Sequence, residues 1–522
     1  MLGVDLGTSQ VKALLCAPDG TVLGQGTVGY QVSTPRPGWA EASPEHWWQA
    51  TCTAVRTAVG PASAEVAGLA VAGQMHGVIS CADRSVALRP AITWLDRRAE
   101  AQVQDYERLP ADLLARLGNA PSPGMAGPIL LWLARHEPDV YWQARWMLQP
   151  KDWLRFRMTG QAATDPTDAS GTLLFDLEGT WATDVARALG LRTDLLPVIR
   201  SPAEIAGPLL PAAAEHLGLR PGLPVAIGAA DTAASLLAAH LPLPGSPPLP
   251  GSPPFPGSPS LPGSPPFPGS PPFPGSAPLG SPAAPWGLLT LGTGGQLIVP
   301  TPPNSDIPFS DNPDPGVGAI NLFRSADGGT YRLAAAQNVG VTLDWVRRTL
   351  GASWDELYDT AARPWQADTP VFLPYLAGER WDHRASGGAW TGLTLAHRRA
   401  DLLRAALEGV AFLLRGKLDD LRALGCAPAA IRLGGGGSRH AAWRQLLADA
   451  LAVPLYPDPD PASAGWLTAR GAALLAVAAT GLVPDTSTTV RSGQNSEAVL
   501  PASQQAEQSY RRFASAASRQ GA

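Results

Sequence analysis

The N-terminal run LGVDLGTSQVKALLC, residues 2–16, is echoed far down the chain by WGLLTLGTGGQLIVPT, residues 286–301. Each reads as strand, small-residue turn, strand, and Leu6-Gly7-Thr8 aligns with Leu291-Gly292-Thr293. A repeat of this type implies two lobes of one fold, each offering a hairpin to a phosphate. Glycine lets the backbone come close, while hydroxyl and N–H groups donate. The echo is asymmetric, because Asp5 corresponds to Thr290 and only the first lobe brings a carboxylate.

Around the two hairpins, strand and helix patterns alternate, which points to α/β architecture. In the first half, Asp19-Gly20 signals a further hairpin, residues 46–59 read as a helix, and residues 65–75 read as a buried strand ending at Gly73. In the second half, helices are expected over 335–351, 399–425, 440–452 and 464–481, with strands at 370–376 and 429–434. Between the halves lies a tract without charge, where the six-residue units GSPPLP, GSPPFP and GSPSLP follow one another from Gly245 to Pro274. Its composition favours a polyproline-II-like linker softened by each Gly-Ser. The organisation expected is a first lobe over 1–240, an insertion over 241–285, a second lobe over 286–484 and a polar tail over 485–522 with one helix.

A chain of 522 residues exceeds one ordinary core, consistent with this division. A net charge of −5 argues against nucleic acid or an acidic membrane as partner. Cys16, Cys52, Cys81 and Cys426 have no metal-like or C-x-x-C spacing, so reduced thiols in the cytoplasm are expected. No secretory signal precedes the first strand, and the longest apolar run falls short of the roughly 18 residues a membrane span needs. Only three of 39 basic residues are lysines: Lys12, Lys151 and Lys417. Where arginine replaces lysine nearly everywhere, a surviving lysine suggests a need for a compact ammonium.

None of the lysines is followed by Ser or Thr, so no G-x-x-x-x-G-K-[ST] loop exists. The glycine run at 434–437 continues Ser438, Arg439, His440, which breaks a G-x-G-x-x-G fingerprint. What remains for phosphate is the first hairpin: Gly7, Thr8 and Ser9 as donors, with Asp5 able to hold a hydrated Mg²⁺. Gln74, Met75 and His76 end a buried strand between two glycines, a position where ligands bind in open α/β sheets. Trp94, with Asp96 and Arg98 close behind, offers a flat apolar face beside polar handles, as sugar sites need. Asp231 follows the strand LPVAIGAA; it either caps the helix that begins there or accepts a hydroxyl proton in phosphoryl transfer. The run Gly434 to Gly437 with Ser438 leads from strand to helix and leaves room for a flat adenine or ribose.

In order along the chain, DLGTS with Lys12, GQMHG at 73–77, RPAITWLD at 89–96, PKDWLRFRMTG at 150–160 and TDASGTLLFDL at 167–177 resemble the FGGY carbohydrate kinases. So do FLPYLAGER at 372–380, DLLRAALEGVAF at 401–412 and GGGGSR with WRQLLAD at 434–449. The resemblance implies a two-lobed, duplicated ribonuclease-H-like (actin/hexokinase-like) α/β fold with its active site in the cleft between lobes. It implies ATP and Mg²⁺ as cofactors and a small sugar as partner, neither nucleic acid nor membrane, and it is compatible with a homodimer. D-xylulose is the substrate implied by the QMHG segment; another ketose or polyol (ribulose, glycerol, gluconate) or an inactive homologue are the alternatives. By the same resemblance Asp231 is the general base, and Asp5 and Asp231 hold the metal. Met75, His76, Trp94, Asp231 and Thr232 meet the sugar. Gly7, Thr8, Ser9 and Lys12, with Gly292, Thr293 and Gly294, hold phosphates, and Gly435, Gly436, Gly437 and Ser438 hold the adenosine. The chain departs from the family pattern at Ile129, Ala229, Ala230, Thr232, Gly294 and Trp381-Asp382.

Overall fold

The computed structural model describes residues 1–18, 20–240, 286–301, 320–376, 378, 387–458, 464–482 and 497–521. The 241–285 tract, Asp19 and Trp381-Asp382 lie outside them. The chain divides into two compact units. The first is drawn from Met1–Leu279, Leu322–Thr330 and Trp466–Ser492, the second from Gly280–Asn321, Tyr331–Gly465 and Gly493–Ala522.

In the first unit, β1 (Leu2–Leu6), β2 (Gln10–Cys16) and β3 (Val22–Gly29) form an antiparallel meander. On the other side of β1 lie β4 (Leu69–Gly73) and then β5 (Pro224–Ala226), both parallel to it. The spatial order is therefore 3-2-1-4-5, with the strand Ile205–Pro208 added at the edge. A two-residue strand, β6 (Ala229–Ala230), continues beyond β5 and also pairs with β4.

Alternation along β1 sorts its side chains. Leu2, Val4 and Leu6 enter a core with Trp47, Ala54 and Trp153. Gly3 and Asp5 face the other side, toward the helix Leu467–Thr480. That helix also packs on the helix Asp231–His240. The sequence groups it with the second half, whereas it lies in the first unit. Its buried Leu467, Ala469, Gly471, Ala472, Ala473, Leu475 and Ala476 leave it almost no polar stripe, so it needs partners on more than one side.

Between β4 and β5 a largely helical segment builds its own core from Val78, Ile92, Tyr106, Met125 and Leu173, among others. Ile129 is fully buried in this core.

The second unit repeats the topology. β7 (Trp286–Leu291), β8 (Gly295–Pro300) and β9 (Thr330–Ala336) are antiparallel in succession. β10 (Ala430–Gly434) runs parallel to β7, and β11 (Leu455–Tyr456) parallel to β10. The order 3-2-1-4-5 recurs, so the Leu-Gly-Thr echo reports a duplicated ribonuclease-H-like sheet.

The helix expected over 335–351 begins only at Gly340, because Ala334 to Ala336 pair with β8 instead. Here ladder pairing overrides the helix preference of alanine. In the tail, Gln505–Gly521 is helical and sends Ala506, Phe513 and Ala516 into the second unit's core. No helix among the described residues is long and apolar enough to cross a membrane.

Candidate active site

Register across the first sheet brings its chemistry together. Asp5 on β1 sits level with Ala72 on β4, and Ala72 is level with Ala229 on β6. Asp231 leaves the end of β6 one residue beyond Ala230, so two carboxylates stand at the carboxyl ends of parallel strands. Burial pushes the Asp5 carboxyl up to about 6, and Lys12, its direct partner on β2, pulls it back. Burial also pushes Asp231 up to about 7, and the Asp5 charge adds to the rise. Two acids that disfavour each other's ionisation are suited to share a proton or a divalent cation. Asp231 also caps its helix in part, since Oδ1 accepts the N–H of Thr232 at 2.7 Å. The capping reading of this residue therefore holds.

The Gly7-Thr8-Ser9 turn is closed by the Gly7 N–H donating to Gln10 O at 3.1 Å. The Gly7 carbonyl accepts from the Tyr30 hydroxyl and from Gln74 Nε2, the latter at 3.3 Å. Gln74 in turn donates its own N–H to Leu6 O at 2.9 Å. Thr8 Oγ1 accepts the indole N–H of Trp94 at 3.0 Å. The hairpin expected to hold phosphate is thus tied to the segment expected to meet the sugar. Lys12 lies over the ring of Trp466, 5.8 Å from its centroid.

Met75 Sδ accepts from Thr232 Oγ1 at 3.2 Å, which joins the QMHG turn to the residue after Asp231. His76 adopts a left-handed backbone, φ +72°. It is held by an N–H donated to Gln149 Oε1 at 3.0 Å and by Nδ1 against Gly171 O at 2.7 Å. With the proton on Nδ1, the Nε2 lone pair is the acceptor. Phe323 lies against the ring, centroid to centroid 5.7 Å. A Cβ on Gly171 would fall 2.7 Å from His76 Nδ1, so a larger residue there displaces the imidazole.

Asp96 and Arg98 do not serve as handles beside Trp94. Asp96 is fully buried and accepts from Ala40 N at 2.6 Å, from the Arg98 N–H at 2.8 Å and from Arg98 Nε at 2.9 Å. Arg98 continues to Glu41 at 2.7 Å and covers the Trp39 ring at 3.6 Å. The pair anchors the loop that carries Trp94.

In the second unit, Gly292-Thr293-Gly294 forms the corresponding turn, with the Gly292 N–H donating to Gly294 O at 2.9 Å. The N-terminus of the Gly340–Thr349 helix abuts it, where Val341 N–H donates to Thr293 O at 2.9 Å. Gly435 has φ +82°, and a Cβ on it would lie 2.3 Å from Leu291 O, so the glycine loop folds onto the end of β7. Gly436–Ser438 form one 3-10 turn, closed by Ser438 Oγ donating to Gly435 O at 2.8 Å. Gly292 to Gly294 and Gly435 to Ser438 are therefore neighbours at one end of this sheet, as Thr290 pairs with Gly434.

Some supporting residues escape a reading by motif. Tyr30 carries no local signal, and Gln149 and Phe323 are distant in sequence from what they hold. Thr167 and Gly171 lie inside the TDASGTLLFDL run, where the resemblance marks the segment without marking the role.

Comparison with known proteins divides the chain by sequence on either side of the 241–285 tract, which leaves the Leu467–Thr480 helix with the second part. Residues 1–238 match the N-terminal domain of the FGGY family of carbohydrate kinases, and residues 287–480 match its C-terminal domain. The xylulose kinase of Escherichia coli (strain K12) is 34% identical over 458 residues, covering 86% of this chain and 84% of that protein. The xylulose kinase of Klebsiella pneumoniae is 35% identical over 457 residues, with the same coverage of 86% and 84%. Among solved structures, a xyloylose kinase from Brucella ovis superposes with a TM-score of 0.78 at 29% identity, covering 99% of this chain and 98% of that one.

Proposed function

The chain belongs to the FGGY family of carbohydrate kinases, enzymes that move a phosphoryl group from ATP to a sugar, and we propose that its sugar is D-xylulose, with Asp231 as the general base. The observation that carries the chemistry is Asp231 itself, at a strand end beside Asp5, with its proton affinity raised toward neutrality. Such a carboxylate is matched to accept a proton from a hydroxyl as that oxygen attacks phosphorus. The new O–P bond forms at the terminal hydroxyl, the bond to ADP breaks, and the hydroxyl proton goes to Asp231. The products are ADP and D-xylulose 5-phosphate.

His76, fixed by Gln149 and Gly171, offers its Nε2 side to a sugar hydroxyl, while Met75, Thr232 and Trp94 supply the surrounding surface. The donors of Gly7, Thr8, Ser9 and Lys12, and of Gly292, Thr293 and Gly294, are assigned to the phosphates. Gly435 to Ser438 are assigned to the adenosine. The family's divalent metal is assigned as Mg²⁺ on Asp5 and Asp231, whose oxygen-only donors and mutual repulsion fit a hard dication; when bound it neutralises phosphoryl charge. The four cysteines are thiols, which suits a reducing compartment, so the proposed location is the cytoplasm.

An ADP-release assay over a panel of sugars tests the substrate. D-xylulose should give the highest kcat/KM, and better turnover of ribulose, glycerol or gluconate would reassign it. Sugar binding by calorimetry without turnover of any sugar would instead make the chain an inactive homologue.

A second expectation concerns His76. Gly171→Ala forces the imidazole off Gly171 O, so the KM for D-xylulose should rise about tenfold, the size of one lost hydrogen bond. Steady-state kinetics at saturating ATP checks this, and an unchanged sugar KM would remove His76 from the sugar contacts.

A further inference from the structure

Lys151, Asp152, Asp165, Asp168 and Arg155 are all fully buried. Lys151 Nζ lies 2.6 Å from Asp152, 2.7 Å from Asp165 and 3.0 Å from Asp168. Arg155 Nη1 adds a contact of 2.9 Å to Asp152. Two of these side chains lead onward to one short segment. Arg155 Nη1 donates to the Ile227 carbonyl at 2.8 Å. Asp165 Oδ2 accepts both the N–H of Thr167, at 2.8 Å, and its hydroxyl, at 2.5 Å. That hydroxyl, itself fully buried, accepts the N–H of Ala230 at 2.8 Å.

The segment 227–230 is thus gripped at its first carbonyl and its last N–H by one charged cluster. Asp231 is the next residue, one peptide of about 3.8 Å further on. The segment needs such a grip, because β6 is only two residues long and pairs with β4 alone. Without a side-chain acceptor, the buried Ala230 N–H would have no partner.

We propose that Thr167 is a positioning residue for phosphoryl transfer: Lys151 and Asp165 fix its hydroxyl, and the hydroxyl fixes Ala230 and so the placement of Asp231. The proposal rests on the reading of Asp231 as the general base. A displacement of the base by a fraction of an ångström lowers the reaction rate but leaves substrate binding intact, since Thr167 lies behind the site. The signature is therefore a loss in kcat at constant KM.

The experiment compares Thr167→Val, Thr167→Ser and Asp231→Asn with the wild-type enzyme on D-xylulose and ATP. Activity is normalised to the folded fraction from circular dichroism. Thr167→Val keeps the shape and removes the hydroxyl; kcat should fall tenfold or more with both KM values within twofold. Thr167→Ser restores the hydroxyl and should recover most of the turnover. Thr167→Ala replaces Val in the comparison if the Val variant does not fold. Wild-type kcat in the hydroxyl-free variant, or an equal loss in the Ser variant, would overturn the positioning role. Wild-type turnover in Asp231→Asn would instead overturn the base assignment, so the two failures are told apart.

Discussion

Asp231→Asn should lower turnover of D-xylulose by about 10²–10⁴-fold, the usual contribution of a general base, while raising thermal stability at pH 7 and above. The two effects share one cause. Burial, and then the Asp5 charge, push the Asp231 carboxyl from its ordinary 3.8 to about 7, so the fold favours the protonated form. Stability from that proton is full below about pH 4 and is lost as pH rises through 7, where the ionised group stays in place at a cost. Asparagine does not titrate. Relative to wild type, the variant should gain stability between about pH 4 and 7 and hold a constant margin above. The displacement corresponds to about 4 kcal/mol at ~1.4 kcal/mol per pH unit, and Asp231's partial exposure cuts the expected margin to about 2 kcal/mol. Thermal melts of metal-free, nucleotide-free enzyme across that range, beside kinetics at saturating substrates, check both halves. For the wild type, activity should climb with pH through about 7 as the base loses its proton. A variant that is inactive but no more stable would mean that Asp231 is not strained by its setting.

The repeated Leu-Gly-Thr turn was enough to read two like sheets, because a hairpin imposes the same small residues wherever it recurs. Asp231 stood out for a related reason: an acid among Gly228, Ala229 and Ala230 is conspicuous. What escapes such reading is contact across long separations. Tyr30 and Gln74 meet on the Gly7 carbonyl from 23 and 67 residues away, and no local spacing encodes that meeting. Asp96 and Arg98 look available in sequence, yet burial beneath Trp39 turns them inward. The run Ala334 to Ala336 favours a helix until β8 supplies a ladder partner. The Leu467–Thr480 helix follows the second sheet in the chain and packs on the first, a choice made by shape rather than by order.

The rarity of lysine was legible as well, and the largest expected loss of stability follows from it. Lys151→Met should destabilise the protein by about 3–5 kcal/mol near pH 8, because three fully buried carboxylates lose their shared cation. Burial alone would push the Lys151 ammonium down, yet Asp152, Asp165 and Asp168 together hold it above its ordinary value. Asp168 is already held well above the usual carboxylate range by burial, against the pull of Lys151. Removing the lysine raises the proton affinity of Asp168 further in the folded state. A raised carboxyl contributes stability at low pH that is lost as pH rises, so the deficit should shrink as pH falls from 8 toward 5. Urea melts at both ends of that range measure it as a shift in midpoint. Lys151→Arg should not rescue. Oxygens of the three aspartates lie within 4.8 Å of one another, a space that admits an ammonium and overpacks with a planar guanidinium. Full stability in the arginine variant would mean that charge alone is required there, and the survival of lysine at this position in an arginine-rich chain would lose its physical explanation.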